Sequence, residues 1–340
     1  MVQAKLAKSK KIPDPARRRK TSKRLKKQLR QLRTDLAACV SLSNFTNMVD
    51  VGNAGNPTDP ADGDELTGGV QHFGAVAYDF RMGKTEVTLN QYVSFLNAVA
   101  KTDTYGLYNP TMATNQNVRG ITRTGSSGNY AYTVIGSGDH PVTYVSWFDA
   151  ARFCNWLHND RPSGAQGSGT TETGAYTLNG ADNGVGFVRE TGARFWIPSE
   201  DEWYKAAYHH PAADGGPALN YWTYPTRTVM PPDNLVGGGA NQANCRVSNK
   251  YSVTQNTTLV PTQNYLSNAG AYSGSPSHYG TFDQAGSNWE WTDGINGMNR
   301  IIRGGGWNND NLAPRSSNRP AGYDPTLEND YTVGFRIAGQ

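Results

Sequence analysis

Cysteine is scarce in this chain. Three residues, Cys39, Cys154 and Cys245, stand in 340, an odd number that cannot close a disulfide framework. No run of residues approaches the roughly 20 apolar positions that a membrane-spanning helix needs. The six histidines, His72, His140, His158, His209, His210 and His278, include no HxxxH or HExxH pair of the kind that seats zinc on one helix face. Only 18% of the residues are charged, too few for a helical bundle with salt-bridged faces. Acidic residues are nearly missing from the first 34 positions, where Asp14 faces 14 Lys and Arg.

What is present is glycine, with 38 residues, and large aromatics, with eight Trp and eighteen Tyr. That mixture describes a loop-rich globular chain whose core is built from aromatic rather than aliphatic pieces. The length admits one large domain or two ordinary ones. The formal charge of +4 conceals a split, because residues 35–340 hold 18 Lys and Arg against 27 Asp and Glu. A basic arm precedes an acidic body, the distribution expected of a tail that docks on a polyanion. Its candidate contacts are Arg17, Arg18, Arg19, Lys20, Lys23, Arg24, Lys26 and Lys27.

Residues 1–22 are basic and poor in apolar side chains, so they are read as a disordered arm. Over 23–40, Leu25, Leu29, Leu32, Leu36 and Cys39 repeat at 4-3-4-3 spacing, a short heptad stripe on a basic helix. The stripe packs on the chain's own body, pairs copies of the chain through 25–39, or lies on nucleic acid or an anionic surface. Residues 36–39, LAAC, imitate a lipoprotein cleavage box, but the charged run before them is unlike a signal peptide. Residues 41–75 are read as a linker or looped lead-in, and 76–340 as one domain with long surface loops at 161–186 and 235–280.

Three helices are expected in that domain. In 86–99, Tyr92, Phe95, Leu96 and Val99 follow the i, i+3, i+4, i+7 rule. In 146–158, Ser146 is the N-cap with Asp149 at N3, and Ala150, Phe153, Cys154 and Leu157 form the apolar face. In 198–210, Ser199 and Glu202 make a capping box, with Trp203, Ala206, Ala207 and His210 on one face. Short strands are expected at 142–145, 194–197, 301–303 and 333–337. The fold class is therefore α+β.

The last forty residues carry the densest signal. A strand runs into Gly304-Gly305-Gly306-Trp307, a long polar loop follows, and the chain closes on VGFRIA. Loops of such length in a compact domain are functional more often than idle. Five collinear segments, GKTEVTLNQYVSFLN (83–97), HPVTYVSWFDAARFCNWL (140–157), RFWIPSEDEWYKAAY (194–208), YGTFDQAGSNWEW (279–291) and RIIRGGGW…RSSNRP…VGFRIA (300–338), resemble the formylglycine-generating enzyme family, also called sulfatase-modifying factor domains. The resemblance covers about 265 residues and implies a compact, loop-rich variant of the C-type lectin fold.

The resemblance also implies chemistry to be looked for. The family's copper oxidases place two cysteines five residues apart after the Arg-Gly-Gly motif, since cuprous copper needs soft thiolates. Here Asn309 and Pro314 occupy those places, so no copper is expected. The iron-dependent sulfoxide synthases of the family draw ligands from a further helical domain, and the arm has no histidine. Structural calcium is implied near the Asn-x-Trp-Glu-Trp segment, with Asp283, Ser287, Asn288, Glu290 and Asp293 as candidate oxygen donors; Ser287 stands where the family usually has Asn. Trp289, Trp291, Arg303, Gly304, Gly305 and Arg336 are read as structural.

The leading functional reading is a non-catalytic binding or structural module. Its ligand face, for a glycan or a protein, is the loop 307–331, with Trp307, Asn308, Asn309, Asp310, Asn311, Arg315, Asn318, Arg319, Tyr323 and Tyr331 as candidates, amide and hydroxyl groups around aromatic anchors. A diversified receptor-binding surface is a variant of the same reading. The alternatives are an oxidoreductase with an altered site, and an assembly or particle component whose arm contacts nucleic acid through salt-dependent phosphate contacts. The location is left open: relatives are often exported, no signal peptide is visible, and association with a surface or particle is one option.

Overall fold

The computed structural model describes residues 23–28, 47–61, 72–328 and 330–340, which fall into two compact units, Met1–Asn47 and Met48–Gln340. In the first unit residues 23–28 are helical, with Leu25 buried and Lys23, Arg24, Lys26 and Lys27 exposed. The rest of the heptad stripe, and Arg17 to Lys20, lie outside the described residues.

The second unit contains the strands β1 (Met48–Val51), β2 (Phe80–Gly83), β3 (Ile121–Thr124), β4 (Ala131–Val134), β5 (Phe195–Trp196), β6 (Arg246–Val247), β7 (Lys250–Tyr251), β8 (Trp289–Asn296), β9 (Asn299–Arg303), β10 (Val333–Gly334) and β11 (Ala338–Gly339). Its longer helices are α1 (Leu89–Val99), α2 (Trp147–His158) and α3 (Glu200–Tyr208). One four-stranded sheet has the order β1-β2-β11-β5. The last strand is thus central, Ala338 facing both Met82 and Trp196 in antiparallel register. β1 falls within the stretch read as a linker or lead-in, where it pairs Met48–Val51 against Gly83–Phe80. A second sheet, β10-β8-β9, joins an antiparallel hairpin to a parallel strand. Its turn is Gly297-Met298 with Gly297 at φ 61°, the glycine-first geometry that two-residue hairpins favour.

Each of the three helices begins where its local chemistry directs. Thr88, Ser146 and Ser199 are N-caps, and with Gln91, Asp149 and Glu202 they form reciprocal capping boxes. Such a cap contributes about 1 kcal/mol. The apolar faces of α1 and α2 meet through Tyr92, Phe95, Phe153 and Trp156, onto which Phe335 packs edge-on. A second aromatic cluster gathers Trp203, Tyr204, Tyr208 and Tyr221.

Three expectations need correction. Residues 142–145 form no strand, because Tyr144 sits at φ 62° and breaks the extended backbone before α2. His210 lies beyond α3, whose C-cap is His209 with extended backbone. The segment 333–337 is extended only at Val333–Gly334, and the chain pairs again at Ala338–Gly339. Among the described residues no helix is long and apolar enough to cross a membrane.

Candidate functional site

β9 delivers the chain into Gly304 and Gly305, at φ 105° and 84°. A Cβ at Gly305 would stand 2.9 Å from the Ala313 Cβ, so the loop doubles back too closely for a side chain there. The loop is then strapped down at intervals. Buried Arg303 donates to the Ser316 and Asn318 carbonyls (3.1 and 3.0 Å) and to Glu200 (2.9 Å). Arg319 forks onto both oxygens of the same Glu200 (2.8 and 2.9 Å). Tyr208 Oη donates to the Pro314 carbonyl (3.0 Å), and the Trp147 N–H, at the start of α2, donates to the Pro325 carbonyl (3.1 Å). Tyr323 and Arg300 exchange backbone hydrogen bonds.

These straps divide the candidate ligand residues. Asn309 Oδ1 accepts from the Gly306 N–H (2.8 Å), Asn311 donates to the Pro232 carbonyl (2.8 Å), and Asn318 donates to the Ala313 carbonyl (2.7 Å). Asn309 and Asn318 thus hold the loop's own backbone, while Asn311 and Arg319 tie it to Pro232 and Glu200. Asp310 is exposed and accepts from the Leu312 N–H (3.0 Å). Arg315 and Tyr323 are half-buried. Trp307, Asn308 and Tyr331 come together. The Trp307 indole lies parallel to the Tyr265 ring (4.8 Å, 8°), with Tyr251 and Tyr331 each 5.8 Å away. Asn308 Nδ2 donates to Tyr331 Oη (3.2 Å). Trp307 Nε1 and Asn308 Oδ1 are buried and make no hydrogen bond. Tyr251 and Tyr265 were not among the candidates, since they precede Trp307 by some 40–55 residues and no local pattern connects them.

The positions implied to hold copper do not fit that metal. Asn309 offers an amide oxygen already taken by Gly306, and Pro314 offers only a carbonyl. The described cysteines lie elsewhere in the core, where burial pushes Cys154 well up and Cys245 up to about 12. Neither supplies a thiolate at neutral pH.

Of the oxygen donors proposed for calcium, Glu290, Asn288 and Asp283 are engaged with protein, whereas Ser287 Oγ and Asp293 Oδ1 are buried and make no hydrogen bond. Glu290, fully buried, receives the Arg336 guanidinium in a fork and also accepts from Trp203 Nε1 (2.7 Å). Arg336 further donates to the Gly83 and Phe282 carbonyls (3.0 and 2.9 Å). Asn288, with its amide turned to satisfy both ends, donates to Glu86 and accepts from the Gly334 N–H, each at 3.1 Å. Asp283 accepts from the Gly270 N–H. Burial pushes its carboxyl up to about 6 and, reinforced by Asp283 and Glu290, pushes Glu86 well above the usual carboxylate range. Ser287, at φ 66°, occupies left-handed backbone, and its Oγ is buried without a hydrogen bond. Asp293 lies apart, bonded to Tyr176 Oη (2.9 Å) and raised to about 7 by burial. Trp289 and Trp291 are buried, the latter donating to the Val145 carbonyl (2.9 Å). Among the described residues no group of three or more His, Cys, Asp or Glu side chains is arranged to hold a metal ion.

His209 and His210 also have protein partners, whereas His140 Nδ1 is buried without a hydrogen bond. His210 bonds the Asp214 carbonyl and Trp222 Nε1 (both 3.1 Å), and its ring stacks on His278 at 3.9 Å. His209 meets Tyr279 Oη at 2.7 Å, and burial lowers it to about 4.

Three solved structures are similar to the chain over 86% of its length. They are CarF (19% identity, 97% of that chain, TM-score 0.42), variable protein 1 of Treponema denticola (16%, 94%, 0.44) and PvdO from Pseudomonas aeruginosa (18%, 94%, 0.45). No curated protein sequence matches the chain. The model of the sulfatase-modifying factor enzyme 1-like domain matches residues 48–340. With that match spanning the whole second unit, from β1 through the closing strand β11, the chain belongs to the sulfatase-modifying factor family.

Proposed function

We propose that this chain is a non-catalytic binding module of the sulfatase-modifying factor family, with its ligand face at Trp307, Asn308 and Tyr331. The observation that carries the reading is the pairing of an aromatic stack with two orphaned polar atoms. Trp307 Nε1–H is a donor without an acceptor, and the adjacent Asn308 Oδ1 is an acceptor without a donor. Unmet groups of this kind each cost about 1–3 kcal/mol when buried. A ligand hydroxyl, which both accepts and donates, would answer the pair, while Tyr331 supplies a ring on which a sugar or an aromatic side chain stacks. A glycan fits that chemistry best.

A copper-oxidase reading needs thiolates that Asn309 and Pro314 do not provide. The basic arm supports a separate role in assembly: exposed Lys23, Arg24, Lys26 and Lys27 suit salt-dependent contact with phosphates.

Probing a glycan array with the full chain tests the principal reading. Saturable binding that falls by about tenfold or more in Asn308→Ala and Tyr331→Ala is the expected result. Copper bound one-to-one, with oxygen consumed during turnover of a cysteine peptide, would overturn it.

A further inference from the structure

A second cavity, of about 300 Å³, opens beside the N-terminus of α2, where the outer part of the C-terminal loop crosses it. Tyr105, Phe148, Asp149, Arg152, Asp182 and Glu328 line it. Its charges are not balanced. Arg152 faces the cavity but is spent on Glu172, which it grips through Nε and Nη2 (2.8 and 3.1 Å), and on the Ala181 carbonyl (2.8 Å). Its guanidinium lies 4.3 Å from the Tyr105 ring centroid. Asp103, the nearest carboxylate behind the wall, is matched by Arg123 (3.2 Å) and by the Leu107 and Tyr108 N–H groups. Among the described residues no cation pairs with Asp149, Asp182 or Glu328.

Asp149 shows that this imbalance points to something absent. Its Oδ2 completes the capping box with Ser146 (2.8 Å to both N and Oγ). Its Oδ1 is buried and makes no hydrogen bond, in a side chain only 1% exposed. A helix cap needs one carboxylate oxygen, so capping leaves Oδ1 unexplained. An ionised carboxylate buried without a donor is costly. Burial pushes Asp149 up to about 6 against the Ser146 hydrogen bonds and Arg152, and burial followed by the Asp149 and Asp103 charges pushes Glu328 up to about 8, with Arg152 only partly opposing.

We propose that this cavity binds an alkylammonium group, presented by a free amine or by a lysine side chain, between Asp149 Oδ1 and the Glu328 carboxylate. A primary ammonium has three donors on a compact head. Phe148 and the edge of Tyr105 provide apolar wall for the methylenes behind it. A metal ion is served less well, because calcium asks for six to eight oxygens and no three-carboxylate set converges here. The site stands on different residues from the Trp307 face, so either assignment survives failure of the other.

Calorimetry on the full chain with pentylamine, its neutral counterpart pentanol, and an N-acetyl-lysine amide tests the proposal. Pentylamine is expected to bind at pH 8.5 and pentanol not. Affinity should fall about tenfold or more in Glu328→Gln, fall less in exposed Asp182→Asn, and stay unchanged in Asn308→Ala. Tighter binding of the lysine amide than of pentylamine would identify a peptide as the source, and the reverse order a free amine. Equal binding of pentanol, no binding of either amine, or pentylamine binding unchanged in both Glu328→Gln and Asp182→Asn, with thermal melts showing both variants folded, would overturn the proposal.

Discussion

Two buried carboxylate clusters lie in this domain, and they are resolved in opposite ways. Around β8, Glu290 receives a guanidinium from the chain itself, since Arg336 arrives just before β11 and forks onto it, and the same charge offsets nearby Glu86 and Asp283. At the N-terminus of α2, Asp149 and Glu328 face a cavity whose own arginine is turned away to Glu172. The first arrangement locks the closing strand to the sheet hairpin. The second leaves an acidic opening that a cation from outside could complete. The same residue types thus serve cohesion in one place and recognition in the other, and the difference is where the nearest guanidinium is spent.

Breaking the closed cluster should give the largest effect. Arg336→Met strands Glu290 without its partner and is expected to cost about 3–5 kcal/mol in urea unfolding. Adding Glu290→Gln should recover part of that loss, because the orphaned charge is removed. If Arg336→Met unfolds like the parent, the pair is not what joins the closing strand to β8.

Titration sharpens the contrast next. Carboxyls raised in the folded state contribute stability that is present at low pH and lost as pH climbs through their folded values. Asp149 and Asp283 near 6, Asp293 near 7 and Glu328 near 8 therefore make the protein less stable as pH rises from about 5 to 8. His209, lowered to about 4, acts oppositely, and its contribution is lost as pH falls below 6.5 toward 4. Melting temperature should peak at mildly acidic pH. A profile that keeps rising to pH 8 would contradict the burial of these carboxyls. Within it, Glu328→Gln should raise the melting temperature by about 1–2 °C at pH 8.5 and leave it unchanged at pH 5.

The smallest effect concerns calcium. With Glu290 held by Arg336 and Asn288 by Glu86 and Gly334, millimolar calcium or its chelation should move the melting point by less than about 1 °C. A shift of several degrees would mean that oxygen donors near β8 bind the ion despite these contacts.

Much of the fold was legible because its signals are local. Ser146 with Asp149 and Ser199 with Glu202 set helix starts through bonds spanning one turn, and both boxes are formed; a third, Thr88 with Gln91, opens α1. The failures were places where distant packing overrides local pattern. Val142-Thr143-Tyr144-Val145 has strand composition, but Tyr144 turns into left-handed backbone where Asn115 meets its hydroxyl. Of the polar residues in the C-terminal loop, composition could not separate Asn309, Asn311 and Asn318, which hold backbone, from Asn308, which faces Tyr331. Glu328 drew no notice in sequence, since one acid in a polar loop resembles ordinary surface.

The sequence by itself determined the family, the starts of α2 and α3 and the aromatic character of the core. These are properties of residue identity and of spacing within a turn or two. Only the tertiary structure decided which partner each buried charge and ring receives. Arg336 reaches Glu290 across 46 residues, Arg303 reaches Glu200 across 103, and Trp307 stacks on Tyr265. Such pairings depend on how β8, β9, α3 and the closing strand pack together, and Coulomb and dispersion forces act on distance in space rather than distance along the chain.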